Sequence, residues 1–568
     1  MNSKINHQTD VCHTGNMQSP SNPLTFPLAP LSSFVTHLGP VARGSLMLLV
    51  LLLVAVPSLA MLFPRTVTPA SASTDQFSGE RAMVHLPIIA SQPHPQGSPA
   101  LARVRDYLAR QLTDMGLEVQ VQQAGGLKNV VARLPGTDPT GAIIIFTHYD
   151  TISYSPGAGD NSSAVAALLE IMHSLAAGPV PRNDVIALFH DGEEPGSFAG
   201  TRAFMREHPW MSDVRVAISI DGAVAGFIST NEVGPQNNGW LVHTLAQAYS
   251  GGTWMSMSGG GIYNSTPFRE AGIPVITLED NYPFRQKHTG EDLPQIINPG
   301  TVQQMGEQTV AIARELGNLD LAHPWGRQET FFSVPVIGFI HYPQAWSLPL
   351  AITTGLVLVL TLGMALSSRF VSWRGLAVAF GTTLTTAMLS VIVVGALQPQ
   401  LPGLFGWKTS LWQEWPEVIP PYGGLAAGAL GLLVLGMAVG SYLLARRWSA
   451  QADFSLIGLL PFLLSAVALA IAEPRAAYAF IWPVLISSLV WIVAVIARRR
   501  QMKWSMDLAA TLAAAPLVIM FTPFMPGLIM SDGMKSLNIL AGIEVLLLAV
   551  IFPALEGLLV RDTSELST

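Results

Sequence analysis

Cysteine is almost absent from this sequence, since Cys12 is the only one among 568 residues. A single thiol excludes an intramolecular disulfide framework and a cysteine-rich metal cluster. Charge is also scarce: Asp, Glu, Lys and Arg make up 12% of the chain, about half the share of a typical soluble protein. Together with the 50% of hydrophobic residues, this scarcity predicts a membrane protein. The net charge of −7 gives no indication of nucleic-acid binding.

The charged residues that are present are concentrated in one stretch. Residues 75–329 hold 26 of the 37 acidic residues but 15 of the 30 basic ones, so the remainder of the chain is slightly basic. This asymmetry indicates an acidic soluble domain, assigned to 76–329, joined to a membrane region with basic flanks.

The N-terminal segment combines a polar tail with an apolar run. Residues 1–43 are predicted to form a disordered cytoplasmic tail. Residues 44–63 carry no charge and are long enough to cross about 30 Å of hydrocarbon. We interpret them as a transmembrane signal anchor; the alternative is a cleaved signal peptide, for which the small residues at 68–73 would be suitable.

Seven further apolar runs follow the soluble domain and predict a seven-helix transmembrane domain over 347–559. The runs lie at about 347–367, 375–397, 423–445, 454–472, 477–497, 504–524 and 537–559. The shorter apolar stretch at 330–346 is interpreted as an interfacial connector, and 560–568 as a cytoplasmic tail. One N-terminal and seven C-terminal spans therefore give about eight in all.

Basic residues in the connecting loops predict the orientation. With a cytoplasmic N-terminus, the cytoplasmic loops hold Arg369, Arg374, Arg446, Arg447, Arg498, Arg499, Arg500 and Lys503, whereas the opposite loops hold Lys408, Arg475 and Lys535. This pattern obeys the positive-inside rule and places the acidic domain outside the cytoplasm. Glu544, inside the last span, is either a functional group or a protonated residue hydrogen-bonded within the bundle.

The soluble domain alternates apolar strands with helical patterns. Strands are predicted at 143–147, 185–189, 216–220 and 274–278, and helices at 99–116, 162–177 and 199–207. This alternation predicts an α/β domain with a mainly parallel, mixed central sheet. Ligands of such sheets bind beyond the carboxyl ends of the strands.

Histidines and carboxylates follow these strands. The candidates are His148 and Asp150 after the first strand, Glu193 and Glu194 after the second, Asp221 after the third, His288 after the fourth, and Asp160 in a glycine-containing turn. Nitrogen and oxygen donors without cysteine suit zinc, with manganese or cobalt as alternatives. Asp150 could orient His148, and one of the two adjacent glutamates could bind metal while the other acts on a water molecule.

Each of these residues alone has a simpler explanation. A His-x-Asp sequence is common in loops, a Glu-Glu pair is usually solvated, and Asp160 could cap the helix predicted at 162–177. Five candidate ligands at one edge of a single sheet are poorly explained by chance, so we favour a metal site. His173, His208 and His243 have no evident partner in the sequence and are interpreted as structural.

The segment 92–317 resembles the M28 family of zinc exopeptidases, in particular its membrane-anchored branch with a polytopic C-terminal region. The matched motifs, in order, are Pro93-His94-Pro95-Gln96-Gly97-Ser98, Asn129-Val130-Val131-Ala132, His148-Tyr149-Asp150, Pro156-Gly157-Ala158-Gly159-Asp160-Asn161, Asp191-Gly192-Glu193-Glu194 with Gly200, Asp221, Gly272-Ile273-Pro274 and His288-Thr289. The sequence departs from the family pattern after Asp160, where a small residue followed by glycine is common, and at Tyr263-Asn264, where an acidic residue is common.

The resemblance implies a three-layer zinc-exopeptidase-like fold and two zinc ions per chain. One zinc would be held by His148, Asp160 and Asp221, and the other by Asp160, Glu194 and His288. Glu193 would be the general base, and Asp150 would complete the catalytic group by orienting His148. The site residues that contact substrate remain unknown from the sequence.

The implied activity is a membrane-bound zinc aminopeptidase that removes N-terminal residues from peptides. The alternatives are a glutaminyl cyclase-like enzyme, a carboxypeptidase using Arg269, Arg285 or Lys287, and a non-catalytic ectodomain of a membrane receptor or transport assembly. The expected partners are a peptide substrate and the lipid bilayer, not nucleic acid, and the sequence does not indicate an oligomeric state.

Two Asn-x-Ser/Thr sequences bear on the compartment. They lie at Asn161 and Asn264, within or beside the candidate site, where a glycan would obstruct it. This favours a bacterial periplasmic domain over a vacuolar lumen.

Overall fold

A computed structural model of the chain describes residues 34–560, except 195, 197, 227, 234–236, 257–264, 281–285, 406–421, 503–504 and 533–535. Several residues named from the sequence lie outside the described part: Cys12 and most of the N-terminal tail, Asn264, Arg285, Lys408, Lys503, Lys535 and nearly all of the C-terminal tail.

The soluble domain is built on one ten-stranded mixed sheet with the order β1-β2-β4-β3-β5-β8-β6-β7-β9-β10. The strands are β1 (Glu118–Ala124), β2 (Leu127–Leu134), β3 (Ala142–His148), β4 (Asp184–His190), β5 (Val214–Asp221), β6 (Ile228–Val233), β7 (Thr253–Ser256), β8 (Val275–Asp280), β9 (Glu329–Val334) and β10 (Gly338–Pro343). The central strands β4, β3, β5 and β8 are mutually parallel, which confirms the predicted α/β class.

Helices cover both faces of this sheet. They are α2 (Gly79–Ile89), α3 (Pro99–Asp114), α4 (Ser163–Ala177), α5 (Ala199–Glu207), α6 (Gly239–Ala248), α7 (Thr266–Glu270) and α8 (Pro299–Gly317), after the N-terminal α1 (Pro40–Ala60). Ile143 and Ile145 of β3 belong to a buried cluster that includes residues of α2, α3, α4, α6 and α8, whereas Ile144 and Phe146 belong to a cluster with residues of α5 and α7. Because both faces are buried, β3 and β4 are apolar along nearly their whole length, and the three-layer arrangement is confirmed.

Among the described residues, eight helices are long and apolar enough to cross a membrane, one before the sheet and seven after it, as predicted. They span Pro40–Ala60, Gln344–Ser367, Trp373–Phe405, Gly423–Ala445, Gln451–Ala472, Tyr478–Arg499, Met506–Pro523 and Leu537–Leu559. The individual helices after the sheet are α9 (Ser347–Ser367), α10 (Trp373–Leu397), α11 (Leu401–Phe405), α12 (Gly423–Ala445), α13 (Gln451–Ile457), α14 (Leu459–Ala472), α15 (Tyr478–Arg499), α16 (Met506–Asp532), α17 (Leu537–Ile551) and α18 (Glu556–Leu559).

The segment 330–346 differs from its interpretation as a connector. Most of it forms the β9–β10 hairpin, and β9 pairs with β7, so the hairpin completes the edge of the central sheet. Phe331 is fully buried in the core of the α/β domain, and Phe332 stacks on Tyr478 of α15 with ring centroids 4.2 Å apart. The apolar residues of segment 330–346 are therefore explained by packing on both the α/β domain and the membrane helices.

Candidate metal centre

Three parallel strands bring chemically active residues to one edge of the sheet. His148 ends β3, His190 ends β4 and Asp221 ends β5. His148 and His190 are paired in register, so their side chains lie side by side. The loop after β4 carries Glu193 and Glu194 to the same edge, as the sequence predicted.

Asp160 lies in the turn Ala158–Ser162 that leads into α4. Gly157, with a φ of 65°, makes this turn possible, because a Cβ atom there would overlap the side chain of Thr151. The backbone N–H groups of Gly159 and Asp160 donate hydrogen bonds to the buried carboxylate of Asp292, at 2.7 and 3.2 Å. These bonds fix Asp160 at the centre of the cluster.

The five predicted metal ligands form two groups that share Asp160. His148, Asp160 and Asp221 form one group, and Asp160, Glu194 and His288 form the other; within each group the ligand atoms lie within 4.8 Å of one another. Asp160 Oδ1 is 3.4 Å from His148 Nε2, and its Oδ2 is 2.9 Å from His288 Nε2. Each oxygen of Asp160 thus faces a different histidine, the arrangement required of a carboxylate that bridges two ions.

Asp150 lies outside the ligand cluster and contacts the residues that form it. Its carboxylate accepts hydrogen bonds from the backbone N–H groups of Glu193 and Glu194, at 3.2 and 3.3 Å. One of its oxygens lies 3.7 Å from His148 Nδ1, the ring nitrogen that faces away from Asp160. Asp150 therefore contacts the elements that carry both glutamates and the histidine, but not the centre itself.

Glu193 is the carboxylate most open to solvent, with 23% of its side chain exposed and its Oε2 4.0 Å from His148 Nε2. Burial raises the pKa of Glu193 to about 7. Since this value is close to neutral pH, the carboxyl group can both accept and release a proton under physiological conditions.

The cluster contains more negative than positive charge. Burial raises the pKa of Glu194 and of Asp221, because their ionised forms are poorly solvated there. Burial opposes protonation of His288, but its hydrogen bonds to Asp160 and Glu194 prevail and raise its pKa to about 9. A cation between these groups would remove the need for that proton.

The residues fit zinc by two observations. The donors are imidazole nitrogens and carboxylate oxygens, which zinc accepts readily. In addition, Glu194 Oε1 is buried without a hydrogen-bond partner among the described residues, although buried carboxylate oxygens are normally satisfied. A metal ion would provide that partner.

Asn161, Lys287 and Asp292 also belong to the site. The sequence assigned no role in it to Asn161 or Asp292, and it named Lys287 only as an anchor for a carboxypeptidase substrate. Asn161 donates hydrogen bonds to Asp221 Oδ1 and Thr147 Oγ1, at 2.7 and 2.9 Å, and is buried. Lys287 Nζ lies 3.6 Å from Asp160 Oδ2, and this carboxylate raises the pKa of the lysine. Adjacency to Asp160 and His288 was the only available signal for Asn161 and Lys287, and Asp292 had none.

The burial of Asn161 also bears on its glycosylation sequence. A glycan on this amide would have to replace its hydrogen bonds to Asp221 and Thr147 inside the folded domain. The folded protein therefore does not present Asn161 to a glycosylating enzyme. Asn264, the other such residue, lies outside the described residues.

Comparison with known proteins supports the family resemblance. Residues 129–313 match the family model "Peptidase family M28". The endoplasmic reticulum metallopeptidase 1 of Mus musculus is 28% identical over 211 residues, which are 34% of this chain and 23% of the relative. The vacuolar membrane protease of Candida albicans (strain WO-1) is 29% identical over 246 residues, 40% of this chain and 29% of the relative. The chain thus covers only about a quarter of the length of these relatives, and the resemblance is confirmed for the matched segment.

The solved structures that match part of this chain include two aminopeptidases. The zinc aminopeptidase BSAP of Bacillus subtilis is 15% identical, with 42% of this chain and 95% of that chain covered and a TM-score of 0.37. The LapA aminopeptidase of Legionella pneumophila is 16% identical, with 44% of this chain and 74% of that chain covered and a TM-score of 0.39.

Proposed function

We propose that this chain is a membrane-anchored aminopeptidase that uses two zinc ions to remove N-terminal residues from peptides. The single observation that carries the proposal is the position of Asp160, which is shared by two groups of three ligands beside Glu193. A peptidase is supported by the match to Peptidase family M28, whereas the ion count and the aminopeptidase specificity are our inference.

His148, Asp160 and Asp221 would hold one zinc ion, and Asp160, Glu194 and His288 the other. When bound, such ions polarise a scissile carbonyl and lower the pKa of a nearby water molecule. The protein fixes the ligands through Asp292 below Asp160 and Asn161 beside Asp221.

Glu193 acts as the general base in this proposal. With a pKa raised to about 7 by burial, it takes a proton from the attacking water and delivers it to the departing amine. Its partial exposure leaves it accessible to substrate, unlike the buried Asp150. Asp150 is a positioning residue, since it binds the backbone of Glu193 and Glu194 rather than the reacting atoms.

The excess of carboxylates favours a substrate with a free α-amino group over one recognised by its terminal carboxylate. Lys287, a cation that a carboxypeptidase could use, lies against Asp160. This cation is therefore held by Asp160 rather than directed at a C-terminal carboxylate, whereas Glu193, which is not one of the proposed zinc ligands, is accessible to an N-terminal amine.

We further propose that the domain faces the extracytoplasmic side of the membrane, as the loop charges predict. A bacterial periplasm is the favoured compartment and a vacuolar lumen the alternative.

The test compares the full-length chain in detergent with its Glu193→Gln variant on aminoacyl reporter substrates. The variant is expected to lose about 10²- to 10⁴-fold in kcat, the usual contribution of a general base, while its zinc content stays unchanged. Glu207→Gln is the matched control, because Glu207 is exposed and lies outside the site. The Asp160→Asn variant is expected to release two zinc ions per chain, since this residue belongs to both groups.

Four results would contradict the proposal. Cleavage of N-acetylated peptides at the same rate would exclude a requirement for the free amine. Release of residues from the C-terminus would indicate a carboxypeptidase, and cyclisation of N-terminal glutamine without hydrolysis would indicate a glutaminyl cyclase-like enzyme. Absence of any turnover with full zinc occupancy would favour the non-catalytic ectodomain.

A further inference from the structure

A second group of side chains that could hold a metal ion lies beside β9 and β10, the two outermost strands at one edge of the sheet. His243 of α6, Glu329 at the start of β9 and His341 of β10 each place one ligand atom within 4.8 Å of the other two. Strands β8, β6 and β7 separate this edge from β5 and the candidate metal centre. Among the described residues, this is the one such group outside that centre.

The hairpin register brings two of the three ligands together. Glu329 is paired with Pro343 and His341 with Phe331, so Glu329 and His341 are diagonal neighbours on the same face of the hairpin. His341 Nδ1 lies 2.6 Å from Glu329 Oε2. This contact follows from backbone pairing and does not depend on a flexible loop.

The third ligand comes from a helix that is fixed to the same strand. The side chain of Asn238, directly before α6, accepts a hydrogen bond from the Glu329 backbone N–H at 2.7 Å and donates one to the Glu329 carbonyl at 3.2 Å. These two hydrogen bonds fix α6 against β9. His243 Nε2 consequently lies 3.5 Å from Glu329 Oε1, the oxygen that His341 does not contact.

The group is partly exposed to solvent. The side chains of His243, Glu329 and His341 are 45%, 13% and 29% exposed. The ring of Trp325 lies 5.2 Å from that of His243 and covers one side of the group. The group is thus shielded on one side and open on the other.

We propose that His243, Glu329 and His341 form an additional zinc site, separate from the candidate metal centre. Two imidazoles and one carboxylate are a frequent ligand set for zinc, and they leave a fourth coordination position for water. The carboxylate lies between the two histidines with one oxygen toward each, so that a single ion would be held by all three side chains. His243, which had no evident partner in the sequence, thus contacts Glu329 in the folded chain.

The position of this site indicates a structural role at the junction with the membrane helices. The hairpin that carries Glu329 and His341 continues through Pro343 into the first membrane helix after the domain, α9. An ion joining His243 to the hairpin would link α6, β9 and β10 and so hold the α/β domain to that helix. No element of this site reaches the edge at which Glu193 lies.

The test measures zinc in the full-length chain after equilibration with micromolar free Zn²⁺ and removal of unbound metal. The combined His243→Ala and His341→Ala variant is expected to lose one zinc ion per chain and to retain the aminopeptidase activity of the unmodified protein. Zinc is also expected to raise the midpoint temperature of unfolding of the unmodified protein more than that of this variant. His323→Ala is the control, because His323 pairs with Asp320 but is 84% exposed and has no second histidine beside it.

A double variant that binds as much zinc as the His323→Ala control would overturn the proposal. His243, Glu329 and His341 would then be a hydrogen-bonded cluster that holds no ion. If the double variant does not fold, Glu329→Gln replaces it, since this change keeps the size of the side chain but weakens the metal ligand. Loss of one ion then supports the site, and an unchanged zinc content overturns it. Because metal content is measured directly, the result is independent of whether the chain is an aminopeptidase.

Discussion

At the residue scale, Asp150 shows how a buried carboxylate can control a site that it does not enter. It accepts the backbone N–H groups of both Glu193 and Glu194 and lies against the outer ring nitrogen of His148. This side chain therefore sets the position of the proposed base and of Glu194, whereas His148 Nδ1 lies 3.2 Å from the backbone carbonyl of Asp150. Residues of this kind outside the ligand shell typically change metal affinity or activity when they are replaced.

We expect Asp150→Asn to lower kcat or zinc affinity about 10- to 100-fold, because an amide can accept one of the two backbone N–H groups but repels the other. Zinc content and kcat are measured together, so that loss of the ion is distinguished from displacement of Glu193. Asp138→Asn is the control, since Asp138 is an exposed residue that pairs with Arg182. Activity and zinc content equal to those of the control would show that Asp150 does not position the site.

At the element scale, Gly200 explains how α5 can begin directly beside the end of β4. A Cβ atom at Gly200 would lie 2.6 Å from Asn129 Oδ1 and closer still to the backbone oxygen of Asp191. Asn129 connects the two elements, as it donates a hydrogen bond to the Gly200 carbonyl and accepts one from the Asp191 N–H. The glycine found in the sequence motif thus permits a close contact of backbones next to the glutamates.

We expect Gly200→Ala to destabilise the protein by about 1–3 kcal/mol, the usual cost of overpacking at a site that cannot relax. The measurement is the shift in unfolding temperature of the full-length chain in detergent, combined with its activity. Gly363→Ala in α9 is the matched control, because no atom lies within 4 Å of a Cβ at that position. Equal unfolding temperatures for the two variants would mean that the α5–β4 contact adjusts without cost.

The sequence predicted the elements whose burial leaves a strong pattern. The runs at 143–147 and 185–189 correspond to β3 and β4, which are buried on both faces and hence apolar throughout. By contrast, β1 is a half-exposed outer strand with the sequence EVQVQQA, and its polar residues conceal it. The β9–β10 hairpin was missed for the opposite reason, since its apolar residues near the membrane helices resembled a connector.

The candidate site was predictable where ligands follow strands and less so where loops carry them. His148 and Asp221 end strands, so their placement at one edge follows from the parallel sheet. His288 lies in a loop with a φ of 54°, so the order of the strands predicts its position less directly. Asp292 supports Asp160 through backbone N–H groups, a contact that leaves no spacing pattern in the sequence.

At the scale of the whole molecule, the α/β domain extends beyond the limits 76–329 assigned from its charge. Arg65 pairs with Glu307 of α8 at 3.0 Å, and the backbone N–H of Thr68 donates to Gln303 of the same helix. On the other side, Phe331 of β9 is fully buried in the domain core.

A fragment of residues 64–343 is therefore expected to unfold cooperatively and at a higher temperature than a fragment of residues 76–329. The shorter fragment loses the contacts of Arg65 and leaves the β7 edge unpaired, which also favours aggregation. Circular dichroism melting and size-exclusion chromatography in the same detergent compare the two. Indistinguishable melting curves would show that the hairpin and the 64–75 segment add nothing to the stability of the domain.

The ends of the membrane helices divide into two groups that agree with the predicted orientation. Arg43 pairs with Asp507 at 3.6 Å, Arg499 donates to Ser367, and Arg446 pairs with Glu556, all at ends assigned to the cytoplasm. At the opposite ends, Ser347 donates to the carbonyl of Pro474, close to the hairpin of the α/β domain. If the ends that carry Arg43, Arg446 and Arg499 face the cytoplasm, as the positive-inside rule predicts, the α/β domain lies on the opposite side of the membrane.

The scarcity of cysteine makes this orientation directly testable. In a Cys12→Ser background, Thr137→Cys places a thiol on the exposed surface of the α/β domain, and Ala450→Cys places one beside Arg446 and Arg447. A membrane-impermeant maleimide is expected to label position 137 in intact cells but position 450 only after the membrane is permeabilised. The reverse result would place the α/β domain in the cytoplasm, where extracytoplasmic peptides would not reach Glu193. The Cys12→Ser protein without an added cysteine is the control, and it is expected to show no labelling. The experiment thereby tests whether the charges that orient the membrane helices also determine the side of the membrane on which the proposed chemistry takes place.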